Sequence, residues 1–225
     1  MKRLFGVALI FFFAVGAFGQ QNYVGRYDVF GGFSYLESPK LDLQQAGFNT
    51  QIGVNLRRWL AFGFDYSIQS GDTILVPGEL KPRYQALLPT IPGYKLYVPF
   101  DATTQTFALG PQLEYRHFKK FTLFVHPSIG VIHESITLKP HDAITTGIVN
   151  ALLTRGVLHT KSPDDTTYFY GFGGGIEYNA SKHLHIRADA EFVHVFLYSD
   201  LLKDSRNSIR FSIGPTFNFG RNVRK

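Results

Sequence analysis

Between residues 168 and 198 the chain alternates apolar and polar positions in a strand rhythm. Tyr168, Tyr170, Phe172, Ile176 and Tyr178 fall on one face, and Phe169, Gly171, Gly173, Gly175 and Glu177 on the other, because successive side chains of a strand point to opposite sides. After Asn179-Ala180-Ser181-Lys182, the faces resume: Leu184, Ile186, Ala188, Ala190, Phe192 and Phe196 oppose His185, Arg187, Asp189 and Glu191. A half-buried strand of a soluble sandwich alternates too, but its polar face meets open water. Here the polar face mixes glycines with opposite charges, which suits a narrow enclosed space. The other face is bulky and aromatic at both ends, the pattern of a lipid-facing strand with aromatic girdles.

The pattern predicts eight such segments, at 26–36, 46–56, 59–69, 103–116, 121–134, 168–178, 183–198 and 206–219. In the third, Leu60, Phe62, Phe64, Tyr66 and Ile68 oppose Ala61, Gly63, Asp65 and Ser67. In the last, Ile209, Phe211, Ile213, Phe217 and Phe219 oppose Ser208, Arg210, Ser212, Gly214, Thr216 and Asn218. The connections after segments 2, 4 and 6 are tight; those after 1, 3, 5 and 7 are longer. Short turns at one end and long loops at the other are the mark of an outer-membrane barrel. The expected fold is therefore all-β: an eight-stranded antiparallel up-and-down transmembrane β-barrel, with short periplasmic turns and long external loops.

Two connections are long. Residues 70–102 carry Pro77, Pro82, Pro89, Pro92 and Pro99, and proline removes ladder donors, so a loop or irregular cap is expected there. Tyr84, Leu87, Leu88, Ile91, Tyr94, Leu96, Tyr97 and Phe100 make it too apolar to hang in water; it should fold over the barrel mouth or meet an external partner. Residues 135–165 form the second, with a short helix expected at 143–153. Loops held on a rigid scaffold commonly carry recognition.

Composition agrees with strands. The 225 residues include 22 Phe, 12 Tyr and 22 Gly, an enrichment that disfavours helices. Residues 1–19 read as a signal peptide: Lys2 and Arg3, an apolar run from 4 to 18, then Ala17-Phe18-Gly19, too short for a membrane-spanning helix of about 20 residues. The barrel domain is then 20–225. There is no cysteine, hence no disulfide framework for an exported protein. The formal charge is +6, with Lys2 and Arg3 in the leader contributing two of it. The remaining positive residues are scattered over turns and loops instead of forming a stripe, so no nucleic-acid partner is expected.

These features resemble the OmpA-like family of small outer-membrane β-barrels. The run Gly173-Gly174-Gly175-Ile176-Glu177-Tyr178-Asn179-Ala180-Ser181-Lys182-His183-Leu184 carries the likeness, together with the closing Phe217-Asn218-Phe219. It covers essentially the whole mature chain. The resemblance implies the outer membrane of a Gram-negative-type bacterium, contact with outer-membrane lipids and lipopolysaccharide, and recognition of the last strand by the barrel-assembly machinery. Family members often stop at the final aromatic, whereas residues 220–225 follow it here. The peptidoglycan-binding domain of larger members is not expected.

The lumen face should hold Asp28, Asp65, Glu114, Glu177, Asp189 and Glu191 with Arg116, Arg187 and Arg210. An eight-stranded barrel is just wide enough to be filled by side chains, and buried charges must pair, so a salt-bridged plug is expected rather than a channel. Trp59, Tyr66, Tyr115, Tyr168, Tyr178, Tyr198, Phe217 and Phe219 are expected as interface anchors. His126 and Ser128, two apart on one face, are the one candidate dyad, and resemble that of outer-membrane lipid A deacylases. Their parity turns them into the lumen, away from any acyl chain. No metal site or other cofactor is implied: His183, His185 and His194 lack a third ligand nearby in sequence. The expected role is structural or surface-interacting without catalysis; a lipid A-modifying enzyme, or a narrow pore or hydrophobic-ligand conduit, are the alternatives.

Overall fold

The computed structural model describes residues 21, 23–89, 92–203 and 206–223. The segment expected as a signal peptide lies outside them, as does Ile91. Eight antiparallel strands close in sequence order: β1 (Tyr27–Ser38), β2 (Leu43–Arg57), β3 (Leu60–Leu75), β4 (Val98–Tyr115), β5 (Phe121–Leu138), β6 (Asp164–Asn179), β7 (Leu184–Val195) and β8 (Arg206–Phe219). Closure comes from β1 against β8, where Tyr27 lies opposite Phe219 and Tyr35 opposite Phe211. A barrel of this kind leaves no unpaired strand edge, the condition for crossing a membrane with strands.

The distribution of side chains is inside out. Ile129 is 62% exposed, Phe172 60% and Ile213 55%, whereas Asn55, Ser67 and Gln69 are fully buried. So continuous an exposed apolar surface has no place in water. The outward apolar positions run over 60–68 in β3 and 168–178 in β6, close to the roughly 9–11 residues that span a bilayer at a tilt. Beyond them, toward the long loops, outward positions turn polar at Glu37, Gln44, Asp72, Gln105, His133, Thr166 and Asn207.

Here the structure differs from expectation. The β3–β4 ladder does not stop at Ser70 but continues through Asp72 opposite Asp101 to Leu75 opposite Val98, with Pro99 inside β4. Likewise β5 and β6 pair out to Ser135 opposite Asp164. The two long loops are therefore 76–97 and 139–163, not 70–102 and 135–165. A sheet need not end where lipid ends, and Pro99 still contributes its carbonyl, which accepts from Lys139 N at 2.7 Å.

On this protruding sheet sits a folded crown. The first long loop carries a single helical turn, α1 (Pro82–Gln85), and the second carries α2 (Ala143–Thr154), coincident with the helix expected at 143–153. Leu41, Leu43, Leu80, Phe100 and Leu202 form a buried apolar core, with Tyr84 and Leu88 packed against it. The loop apolar residues thus fold over the mouth. Tyr94 and Tyr97 tie the two long loops together: the Tyr94 hydroxyl donates to Asp142 Oδ2 at 2.5 Å, and the Tyr97 ring stacks on His141 at 4.4 Å.

Candidate functional site

The inward positions of the eight strands build a largely polar column, with its charged groups arranged in three tiers. At the short-turn end, Arg187 lies between Glu177 and Asp28: its Nε donates to Glu177 Oε1 at 2.6 Å, and its Nη2 lies 3.8 Å from Asp28 Oδ1. Its guanidinium also lies over the rings of Phe124 and Phe30, at 4.9 and 5.5 Å. Arg116 donates from Nε to Glu114 Oε2 at 2.6 Å and from Nη1 to Gln21 Oε1 at 3.2 Å. Asn55 links the two groups, donating to Asp28 Oδ2 at 2.9 Å while accepting from Arg116. His185 faces Glu177, Nδ1 to Oε2 3.5 Å.

The middle tier is centred on Arg210. Its Nη2 donates to Glu191 Oε2 at 2.5 Å and to Asp65 Oδ1 at 2.9 Å; its Nη1 donates to Ser67 and Thr106 hydroxyls at 2.7 and 3.0 Å. Ser128 donates to the other Glu191 oxygen at 2.5 Å. His126 Nε2 lies 3.9 Å from Asp189 Oδ2. Glycine makes this tier possible: a Cβ on Gly171 would stand 2.6 Å from Ser128 Oγ and 2.7 Å from Glu191 Oε1, and one on Gly173 would stand 2.7 Å from His126 Nε2.

At the loop end, Arg206 donates to Glu134 Oε1 at 2.9 Å, and Thr104 donates to Glu134 Oε2 at 2.8 Å. Gln69 donates to Ser34 at 2.9 Å. Phe169, Val193, Val195 and Leu197 form a buried apolar cluster with Ala108 and Ile132, and Ile132 and Phe169 lie on the short-turn side of Glu134, between the Glu134–Arg206 pair and the Arg210 tier.

The structure brings Asp28, Glu114, Arg116, Glu177 and Arg187 into one group, and Asp65, Asp189, Glu191 and Arg210 into a second. Glu134 and Arg206 form a pair that the sequence reasoning left out. Both stand at strand ends with lumen parity, two positions on from Ile132 and four before Arg210, so alternation carried the signal. Gln21 was missed because it precedes β1.

His126 and Ser128 both point inward, as their parity requires, and are almost wholly buried. The serine hydroxyl is engaged by a carboxylate and Arg210 sits on the far side of that carboxylate, so this is a strut of the ionic column. His183 bonds Asn218 O through Nδ1 and His194 bonds Asn207, at separate places. Among the described residues no group of three His, Asp or Glu side chains is arranged for a metal.

At the short-turn end of the lipid-facing band, Trp59 is 59% exposed, with Tyr115, Tyr178, Phe217 and Phe219 on the same rim. Tyr66 packs at a tilt against Phe107, centroids 4.8 Å apart, and Tyr168 packs on Phe196 near the loop end. Tyr198 is a correction. It was expected on the lipid face, but β7 ends at Val195 and Tyr198 has φ +51°, which breaks the alternation. Its hydroxyl donates to the Glu134 carbonyl at 2.9 Å, and its ring joins the crown core. Burial, with the Glu134 charge nearby, raises the phenol above its usual range.

A closed barrel with apolar side chains outside and an ion-paired column inside is a small transmembrane β-barrel. Residues 5–222 match the family model of the outer membrane protein β-barrel domain, and the chain belongs to that family. Neisserial surface protein A superimposes with a TM-score of 0.53 at 10% identity, over 86% of this chain and 96% of that one. OprG from Pseudomonas aeruginosa gives 0.51 at 10% identity, over 90% and 99%. Ail of Yersinia pestis gives 0.47 at 13% identity, over 87% and 99%. A comparison with curated proteins found no match. The family match, with the fold shared with Neisserial surface protein A and OprG, gives a small eight-stranded outer-membrane barrel of the OmpA-like type.

Proposed function

We propose that the protein is a non-conducting, non-catalytic outer-membrane barrel whose crown is its working surface. The observation that carries this reading is the continuity of the lumen filling. Arg116, Arg187, Arg210 and Arg206 follow one another from the short turns to the mouth, each held by a carboxylate. Opening a path would separate buried ion pairs, which is strongly unfavourable. Apolar side chains packed between the two upper tiers, and the folded crown over the mouth, leave the barrel no reason to admit solute.

The crown, by contrast, is built to hold a shape outside the membrane. It has its own apolar core, a capped helix and cross-links between loops, and it presents Ile74, Leu87 and Ile144 among charged side chains. A rigid loop surface of that kind suits recognition of another macromolecule at the cell surface. Two alternatives are weaker. The apolar cavity between the long loops, lined by Leu75, Val98, Ile148 and Leu152 among others, is about 60 Å³, small beside the roughly 300–1,000 Å³ of ligand pockets. Lipid A modification would require a free Ser128.

Planar-bilayer recording tests the first half of the proposal. A silent bilayer containing folded protein supports it; stable, discrete conductance steps would overturn the plug. Replacing 79–96 and 144–158 with short Gly-Ser turns tests the second. The barrel should still insert, and adhesion of the cells to other cell surfaces should fall; unchanged adhesion would remove the crown from the account.

A further inference from the structure

The two ends of the barrel differ in charge. At the loop end, each connection carries both signs: Lys40 with Asp42, Lys81 and Lys95 with Glu79, Arg155 and Lys161 with Asp142, and Lys203 with Asp200. Among the described residues, every exposed charge at the short-turn end is positive. The β2–β3 turn supplies Arg57 and Arg58, the β4–β5 turn Lys119 and Lys120, and the β6–β7 turn Lys182; Arg26 and Arg221 flank the first and last strands. Carboxylates do reach this end, but Asp28, Glu114 and Glu177 are buried and held by Arg116, Arg187 and Asn55. Among the described residues, no Asp or Glu offsets the outer cations.

Their position narrows the partner. The cations alternate around the rim with the aromatic anchors: Trp59 follows Arg58, Phe121 follows Lys120, Arg221 lies two positions after Phe219, and Lys182 stands over the Tyr23 ring at 4.5 Å. Aromatic anchors mark the level of lipid headgroups, so these side chains stand at phosphate depth. Concavities lie between the turns. One of about 600 Å³ is lined by Lys119, Lys120 and Lys182 with Asn179 and Ser181; another of about 350 Å³ by Arg57, Arg58, Trp59 and His117, with Glu114 reaching it already paired to Arg116. Paired cations beside hydroxyl and amide groups fit a phosphodiester.

We propose that the short-turn end is a ring of binding sites for anionic phospholipid headgroups, selecting phosphodiester lipids with net negative charge over zwitterionic ones in the leaflet it touches. A basic surface next to a membrane concentrates anionic lipid, and the effect is screened by salt. The charge balance of the loop end predicts no such selection there.

Trp59 makes the test direct, because it is the sole tryptophan and lies within the Arg57–Arg58 site. The full chain is refolded into vesicles of phosphatidylcholine and phosphatidylglycerol in which one lipid at a time has brominated chains. Quenching of Trp59 should report a roughly fivefold preference for phosphatidylglycerol at low salt, the worth of about one surface cation at an anionic leaflet, collapsing toward one in 1 M salt. Arg57→Gln with Arg58→Gln should abolish the preference while the boiling-sensitive gel band persists. Because Arg58 also bonds the Gln21 carbonyl, a second variant, Lys119→Gln with Lys182→Gln, leaves that contact untouched and should retain less phosphatidylglycerol in native mass spectrometry. Equal quenching by both lipids at low salt would overturn the proposal. Retention of soluble anionic cell-wall fragments without lipid preference would overturn it too, and would give this face to a polymer.

Discussion

Arg210 and Glu191 face each other across the β7–β8 ladder, Nη2 to Oε2 2.5 Å, and both are almost wholly buried. The same arginine reaches Asp65 on β3, across the lumen. One guanidinium thus ties opposite walls of the barrel together.

Arg210→Leu should leave Glu191 and Asp65 buried without their cation. The expected loss of stability is about 3–5 kcal/mol, the usual result of removing one partner of a buried pair, read as the urea midpoint of folding into lipid vesicles. Arg210→Leu combined with Glu191→Leu should cost less than the two single losses summed, since neither charge is stranded by the other. Additive losses would mean that the pair does not act as a unit.

The apolar band should treat charge by depth. Ile213→Arg lies mid-band and should destabilise by about 2–4 kcal/mol, whereas Tyr168→Arg, near the rim, should cost about 0–1 kcal/mol. Equal effects at the two positions, in the same unfolding assay, would show that lipid does not surround this surface.

Ser128→Ala and His126→Ala should leave lipid A unchanged by mass spectrometry when the wild-type and variant proteins are expressed in the same cells. A lost acyl chain in the wild type, restored in either variant, would convert the dyad from strut to catalyst.

The crown has its own pH dependence. Asp142 caps α2, its Oδ1 accepting from Thr145 N at 2.7 Å. That bond, followed by the Tyr94 hydroxyl, lowers its carboxyl from about 3.8 to about 2; the same contact pushes Tyr94 up to about 12. A lowered acid stabilises above its ordinary value, and the contribution is lost as pH falls through the folded one. Amides of the first turn of α2 should therefore keep their hydrogen-exchange protection at pH 4 and lose it several-fold by pH 2, after correction for intrinsic rates. Asp142→Ala should lack it at both. Protection in the variant equal to wild type at pH 4 would remove the cap from the account.

Much of this was legible in the sequence, and the limits have physical causes. Period-two alternation assigned lumen and lipid faces because a strand has only two sides, so Asp65, Arg187 and Arg210 could be placed from parity alone. Strand ends were harder. Polar outward residues such as Asp72 and Asp101 look like loop, yet they are what a sheet carries once it has left the bilayer. Pro99 reads as a breaker, but a ladder tolerates a missing donor where its carbonyl is used. Tyr198 failed because a single positive φ ends the alternation without any marker in composition. Which carboxylate each arginine would choose depended on the shear of the closed barrel, which no local pattern states. The charge asymmetry of the two ends lay hidden until the carboxylates at the short-turn end proved to be buried.

The most direct measurement is the simplest. Isolated outer membranes should contain the protein, and on a detergent gel it should run as a compact band that shifts only after boiling, because a closed ladder resists detergent until heated. Recovery from the soluble periplasm with no shift would contradict the account: the apolar band would have to face inward, and the ionic column could not be the barrel's interior.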